Sequence, residues 1–141
     1  MGRVINIENP GKERTSLIRN LNLAVYEFSK ENQTQIQKSD LTAFMALSLS
    51  AISRTVERSV QAWEKRGYWL KADRFRLEWM WTESLGKALR EALIGEQWNT
   101  VDQTVKKISE KLIGVELPKR APKIIPWVGA YDKFLSLYRP E

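Results

Sequence analysis

The chain contains neither cysteine nor histidine among its 141 residues. Without cysteine it can form no disulfide, no thiolate nucleophile and no thiolate metal ligand. Without histidine it lacks imidazole acid–base catalysis, and the Glu-x-x-His metal site of some helical bundles is excluded as well. We therefore predict a protein that is not an enzyme and that carries no cofactor or metal.

Long hydrophobic runs are also missing. The longest uncharged run in the helical part covers residues 41–53 and contains three serines, whereas a membrane span needs about 20 apolar residues. The first thirty residues show no apolar segment typical of a secretion signal. We predict no membrane span and a cytoplasmic location.

Positive charge and tryptophan are abundant instead. The formal net charge is +6, the pI is about 9.7, and there are six tryptophans. Such a charge favours anionic partners such as nucleic acid, acidic proteins or anionic membrane surfaces, although many basic proteins bind none of these. Composition alone does not choose among them.

Hydrophobic periodicity predicts an all-α fold. We expect a mostly antiparallel bundle of four main helices plus a short C-terminal helix, which together form a single domain over residues 1–141. We expect an N-terminal arm over 1–11, stopped by Asn9, Pro10 and Gly11, and a proline-rich extended connector over 115–126. The expected helices cover about 12–31, 39–66, 68–94, 100–112 and 126–138, with Ser39 or Asp40 capping the second and Thr100 with Gln103 capping the fourth.

Gly67 decides how the second and third helices are connected. A glycine after the basic end Lys65–Arg66 suits the left-handed residue that ends a helix, which predicts an antiparallel hairpin. The alternative is one helix over 39–94, roughly 80 Å long at the usual rise per residue. We favour the break, because so long a helix is rare in a compact domain.

The second helix carries a nearly heptad apolar seam, which could be an intramolecular core or a homodimer interface. The third helix carries two apolar stripes, and we predict on that ground that it is the central helix of the bundle. The seam consists of Leu41, Met45, Leu49, Ile52, Val56, Val60 and Trp63, and the second stripe of the third helix consists of Leu70, Leu77, Trp81, Leu85, Ala88 and Ala92.

Residues 63–81 combine four of the six tryptophans with many basic residues. Exposed aromatic rings among cations are typical of platforms that stack nucleic-acid bases. Helical spacing instead assigns Trp63, Trp79 and Trp81 to the apolar stripes, and leaves only the hairpin tip exposed. We also expect a partly buried ion-pair network around Arg74, with Glu78, Asp73 and Glu64 as its acidic members.

Three functional hypotheses follow, of which the third and least favoured is an enzyme that uses only Lys, Ser, Tyr or carboxylate groups, for which the sequence offers no candidate site. The first is a protein-interaction or scaffold module, whose partner is another protein or a second copy of the chain. The second is a nucleic-acid-associated helical protein that uses a basic stripe and the connector. The candidate contact residues for a partner or for phosphate are Arg54, Arg58, Lys65, Arg66, Tyr68, Trp69, Lys71, Lys119, Arg120 and Lys123.

Overall fold

The structure is a computed structural model that describes residues 9–120 and 122–138. Those residues form five helices and contain no strand, which confirms the predicted all-α bundle. The helices are α1 (Pro10–Phe28), α2 (Gln35–Lys65), α3 (Trp69–Ile94), α4 (Trp98–Lys111) and α5 (Ala130–Tyr138). None of the helices in this described part combines the length and the apolar character that a bilayer crossing requires.

The start of α1 differs from the prediction. The arm was predicted over 1–11, but Pro10 and Gly11 already belong to α1. Asn9 caps the helix instead of stopping an arm, since its side-chain oxygen accepts the Lys12 N–H at 3.0 Å, and proline suits the first helical position. Residues 1–8, which include the predicted extended piece, lie outside the described residues.

The start of α2 was also predicted too late. Thr34 and Gln37 form a capping box: the Thr34 hydroxyl accepts the Gln37 N–H at 3.1 Å, and the Gln37 side chain accepts the Thr34 N–H at 2.8 Å. These two bonds satisfy donors that a helix start leaves open, so the polar stretch before Ser39 is helical. Neither Ser39 nor Asp40 is the cap.

The central helix of the bundle is α2, so the prediction that gave this role to the third helix was wrong. Of the five helices, α2 packs against α1, α3 and α5, whereas α3 packs against α2 and α4. The physical reason is that the first half of α2 is apolar nearly all round. Its seam residues Leu41, Met45, Leu49, Ile52, Val56 and Val60 are buried within the chain, which makes the seam an intramolecular core.

The close contact between α2 and α3 depends on small residues of α3. Thr82 is buried, and a Cβ added at Gly86 would lie 3.1 Å from the Cβ of Leu49. The glycine therefore lets the two helix backbones approach each other closely.

Two other helix starts were misplaced. The fourth helix begins at Trp98 without a side-chain cap, so the Thr100–Gln103 capping box does not form. The last helix begins at Ala130, because residues 126–129 form turns. Its first turn is held by Asp40 of α2, whose carboxylate accepts the backbone N–H groups of Gly129 at 3.2 Å and Tyr131 at 2.9 Å. This contact fixes α5 against the N-terminal end of α2.

Candidate functional site

The α2–α3 hairpin ends in a well-defined turn at Gly67. Its N–H donates to the carbonyl of Glu64 at 3.0 Å, and the N–H of Tyr68 donates to the carbonyl of Trp63 at 2.9 Å. This is the Schellman arrangement, which needs a left-handed residue, and Gly67 has φ +84°. The predicted break is confirmed. The turn leaves Arg66 exposed, together with Tyr68 at 54% and Trp69 at 60% exposure.

A row of aromatic rings holds the two arms of the hairpin together. Trp63 of α2 lies edge-on to Phe75 of α3 with ring centroids 4.8 Å apart, and Phe75, Trp79 and Trp81 follow along α3 at 6.0 and 6.1 Å. All four rings are half-buried and pack against the core. These tryptophans therefore contribute mainly to folding. The Lys71 ammonium lies 4.5 Å from the ring centroid of Trp63, where its charge contacts the π face.

Sequence reasoning missed Arg14, a buried cation that lies under this aromatic row. Its guanidinium donates to the hydroxyls of Thr55 at 3.3 Å and Ser59 at 3.2 and 3.3 Å. The same group lies 4.8 Å from the ring centroid of Phe75 and 5.7 Å from that of Trp79. Burial lowers the pKa of Arg14, but a guanidinium remains charged at neutral pH.

A sequence signal for Arg14 was present. It stands seven residues before Leu21, which is a core position of α1, so it falls on the apolar face of that helix. Thr55 and Ser59 are four residues apart and therefore share one face of α2. A cation on an apolar stripe, opposite two hydroxyls, indicates a hydrogen-bonded buried arginine.

The ion-pair network has a different centre from the predicted one. Arg76, not Arg74, is the hub: its guanidinium lies 3.1 Å from Glu57, and 3.6 Å from both Glu64 and Asp73. The hydrogen bond that the Arg76 guanidinium donates to the Glu57 carboxylate raises the pKa of Arg76. The network lies at the surface rather than partly buried, because the Arg76 and Glu57 side chains are 40% and 50% exposed.

The structure does not bring all of the candidate basic residues together. Arg54, Arg58 and Lys65 follow one face of α2, since they are spaced by four and seven residues. Arg58 is already paired with Glu13 at 2.9 Å, and Lys65 lies near the tip. The connector that carries Lys119, Arg120 and Lys123 runs beside α1 and the start of α2. Asn22 of α1 donates to the carbonyl of Val115 at 2.9 Å, and Pro122 shares a cavity wall with Asp40.

The separation between these two basic groups follows from the length of α2. Asp40 stands near the start of α2 and Lys65 at its end, 25 positions later, which corresponds to about 38 Å of helix. The three connector cations, all exposed, are therefore remote from Lys65, Arg66 and Lys71 at the tip. Acidic residues of the Arg76 network also lie between α2 and α3 near the tip.

The first part of the second apolar stripe of α3, with Leu70 and Leu77, is not covered by any other described helix. The chain turns back after α3. Because α4 is about 21 Å long and α3 about 39 Å, α4 covers only the later part of the stripe. Leu85, Ala88 and Ala92 are covered, but Leu70 is 63%, Leu77 is 68% and Met80 is 51% exposed. We call Leu70, Leu77 and Met80 the uncovered face of α3.

A groove of about 540 Å³ lies where α4 ends against α3. Its floor is apolar, and the last turns of α4 provide charged groups at its rim. The α3–α4 groove is lined by Leu77, Glu78, Met80, Trp81, Ser84, Leu85, Lys107, Glu110 and Lys111. It continues directly into the uncovered face, with which it shares Leu77 and Met80.

In the part of the chain that the structure describes, no group of three or more carboxylates comes close enough to hold a metal ion. Comparison with known proteins gives no matching family model, no similar curated protein and no similar solved structure. The geometry of the chain is therefore the only basis for a functional proposal.

Proposed function

We propose that this chain is a non-enzymatic protein-interaction module that binds its partner through the uncovered face of α3. The observation that supports this proposal is the exposure of Leu70, Leu77 and Met80 on one regular helix, next to an apolar groove. Completing the burial of a two-thirds exposed leucine contributes about 1–2 kcal/mol. A partner that covers this face would therefore gain a useful part of its affinity from these side chains.

Several exposed apolar residues elsewhere in the chain have a simpler explanation. Ile113, Ile124 and Val128 stand on turns and on the connector, where single apolar side chains are common. Leu70 and Leu77 differ because they continue a stripe that is buried further along the same helix, and Met80 adjoins that stripe. Several apolar side chains exposed on one helix face are typical of interaction sites.

Nucleic-acid binding is the second candidate, supported by the net charge of +6 and the exposed Lys65 and Arg66 at the tip. We rank it lower because the tip and the connector cations are about 38 Å apart along α2, and because Arg58 is already paired with a carboxylate. Retention of a labelled oligonucleotide at low salt, falling steeply as salt is added, would raise it above the first candidate.

Photo-cross-linking tests the proposal directly. The photoreactive residue p-benzoylphenylalanine replaces Leu77 in the full chain, and the matched control carries it at Gln103, an exposed position of α4. In the cells that naturally express the chain, we expect a protein adduct at 77 that is absent at 103 and is lost when Leu70→Glu is added. Adducts that are equal at both positions, or that persist with Leu70→Glu, would refute the proposal. We also propose that this interaction takes place in the cytoplasm.

A further inference from the structure

The α2–α3 hairpin carries both a protruding aromatic tip and an apolar groove on the same rigid helix. Tyr68 and Trp69 are more than half exposed at the tip, and the α3–α4 groove begins at Leu77. Trp69 and Trp81 of the groove are separated by 12 positions, or about 18 Å of helix. Tip and groove of one copy therefore cannot meet each other.

We propose that the partner on the uncovered face is a second copy of this chain, with the two α3 helices packed antiparallel so that each tip lies in the groove of the other copy. This inference rests on the proposed function, because it identifies what covers the interaction surface. When the two α3 helices run antiparallel, each tip meets the groove of the other copy, and both such contacts form at the same time. A two-fold axis then makes the contact closed and self-complementary.

The apolar side chains match in this arrangement. We set the two-fold axis at the level between Phe75 and Arg76 along α3. Leu70 then lies opposite Trp81 of the other copy, and the two Leu77 side chains lie on either side of the axis. Met80 reaches toward the other copy's Trp69, a favourable contact for a thioether.

The charges beside this face match as well. Arg74 and Glu78 lie on the same edge of α3, and like edges meet in an antiparallel two-fold pair. The same register sets Glu78 of one copy beside Arg74 of the other, twice by symmetry. Within residues 9–120 and 122–138, neither Arg74 nor Glu78 has an oppositely charged group within 4.0 Å, whereas nearby Arg76 has three. Both groups are thus available to the second copy.

The size of the contact sets its expected strength. Only the first half of α3 and the tip contribute from each copy, so the interface lies at the small end of stable protein interfaces. We therefore expect a dissociation constant in the micromolar range, on the order of 1–100 μM.

Analytical ultracentrifugation of the purified full chain tests the proposal. We expect a concentration-dependent shift from 16.4 kDa to twice that mass. Arg74→Glu should raise the dissociation constant about tenfold or more, because Glu78 then faces a like charge at two places. Glu78→Arg should do the same for the converse reason. An equimolar mixture of the two variants should associate again, because each copy supplies the charge that the other lacks.

The mixing experiment separates an intermolecular contact from an effect within one helix. Glu83→Arg, an exposed position on the other side of α3, is the matched control and should leave the dissociation constant unchanged. Circular dichroism of each variant checks that the helices are intact. A wild-type chain that stays at 16.4 kDa up to 1 mM (~10-fold above the expected range), or variants that do not recover on mixing, would overturn the proposal.

The outcome also distinguishes this inference from the proposed function. A monomeric chain that still gives a photo-adduct at position 77 with a different protein would refute the second copy and keep the interaction module. A monomeric chain with no adduct at position 77 would refute both.

Discussion

The buried cation Arg14 gives the sharpest prediction about the folding of the hairpin. Replacing it by alanine removes the hydrogen bonds to Thr55 and Ser59 and the guanidinium packed against Phe75 and Trp79. Losing a charged hydrogen bond to a buried group costs about 1.5–3 kcal/mol. The cation–π contact of the guanidinium with these rings stabilises the fold by about 2 kcal/mol when it is desolvated. These losses are offset by the desolvation cost of a buried cation, which is several kcal/mol.

The expected net effect differs among three substitutions. For Arg14→Ala we expect the free energy of unfolding to fall by about 2–4 kcal/mol, since a large buried side chain is lost as well. Arg14→Met keeps the packing and removes the desolvation cost, so the free energy of unfolding should fall by less than about 1 kcal/mol. Arg14→Lys keeps the charge but loses the planar fork that contacts both hydroxyls, and should lose about 1–3 kcal/mol.

Urea denaturation of the full chain, followed by circular dichroism at one fixed protein concentration, measures all three values. The order Met, Lys, Ala from the smallest loss to the largest is the result expected from the geometry. If Arg14→Lys were as stable as the wild type, the planar contacts to Thr55, Ser59 and the rings would have no energetic role. If Arg14→Met were as damaging as alanine, the charge itself would be the stabilising element.

Four further substitutions test the backbone and its closest contact by the same measurement. Gly67→Ala should destabilise by about 1–2 kcal/mol from its positive φ alone, whereas Gly95→Ala, at φ −83°, should cost nothing or stabilise slightly. Gly86→Ala should destabilise by about 1–3 kcal/mol, because its new methyl would lie 3.1 Å from the Cβ of Leu49; an increase in stability would show that helix propensity outweighs this contact. Glu96→Gly should stabilise by about 0.5–1 kcal/mol, because Glu96 rather than Gly95 holds the left-handed position, at φ +52°, that ends α3.

Local chemistry predicted the hairpin correctly and the helix starts less well. Gly67 was identifiable because a glycine after a basic helix end has one common explanation, and the structure shows that geometry. The capping box of Thr34 and Gln37 was hidden, because a polar stretch can be a loop or a helix whose buried face has not yet begun. Asn9 was misread for a similar reason, since a residue that favours turns also caps helices.

Hydrophobic periodicity could not predict which helices contact each other. The central position of α2 depends on which faces its neighbours cover, and Arg14 was overlooked because its partners, Thr55 and Ser59, are more than 40 residues away in sequence. Of the ten candidate contact residues, only the five at the tip lie next to the proposed interaction surface; they are Lys65, Arg66, Tyr68, Trp69 and Lys71. The connector residues lie beside α1 and the start of α2 instead.

The uncovered face of α3 shows why a stripe of apolar residues cannot by itself distinguish a core from an interface. Leu70 and Leu77 continue the same stripe as Leu85 and Ala92, and nothing in their spacing separates the two pairs. The difference comes from the length of another helix: α4 ends after 14 residues and covers only the later part of α3. Lengthening α4 would bury Leu77 within the chain, and a partner would bury it between chains. No other described part of the chain covers these side chains, and that exposure is the observation on which the proposed interaction rests.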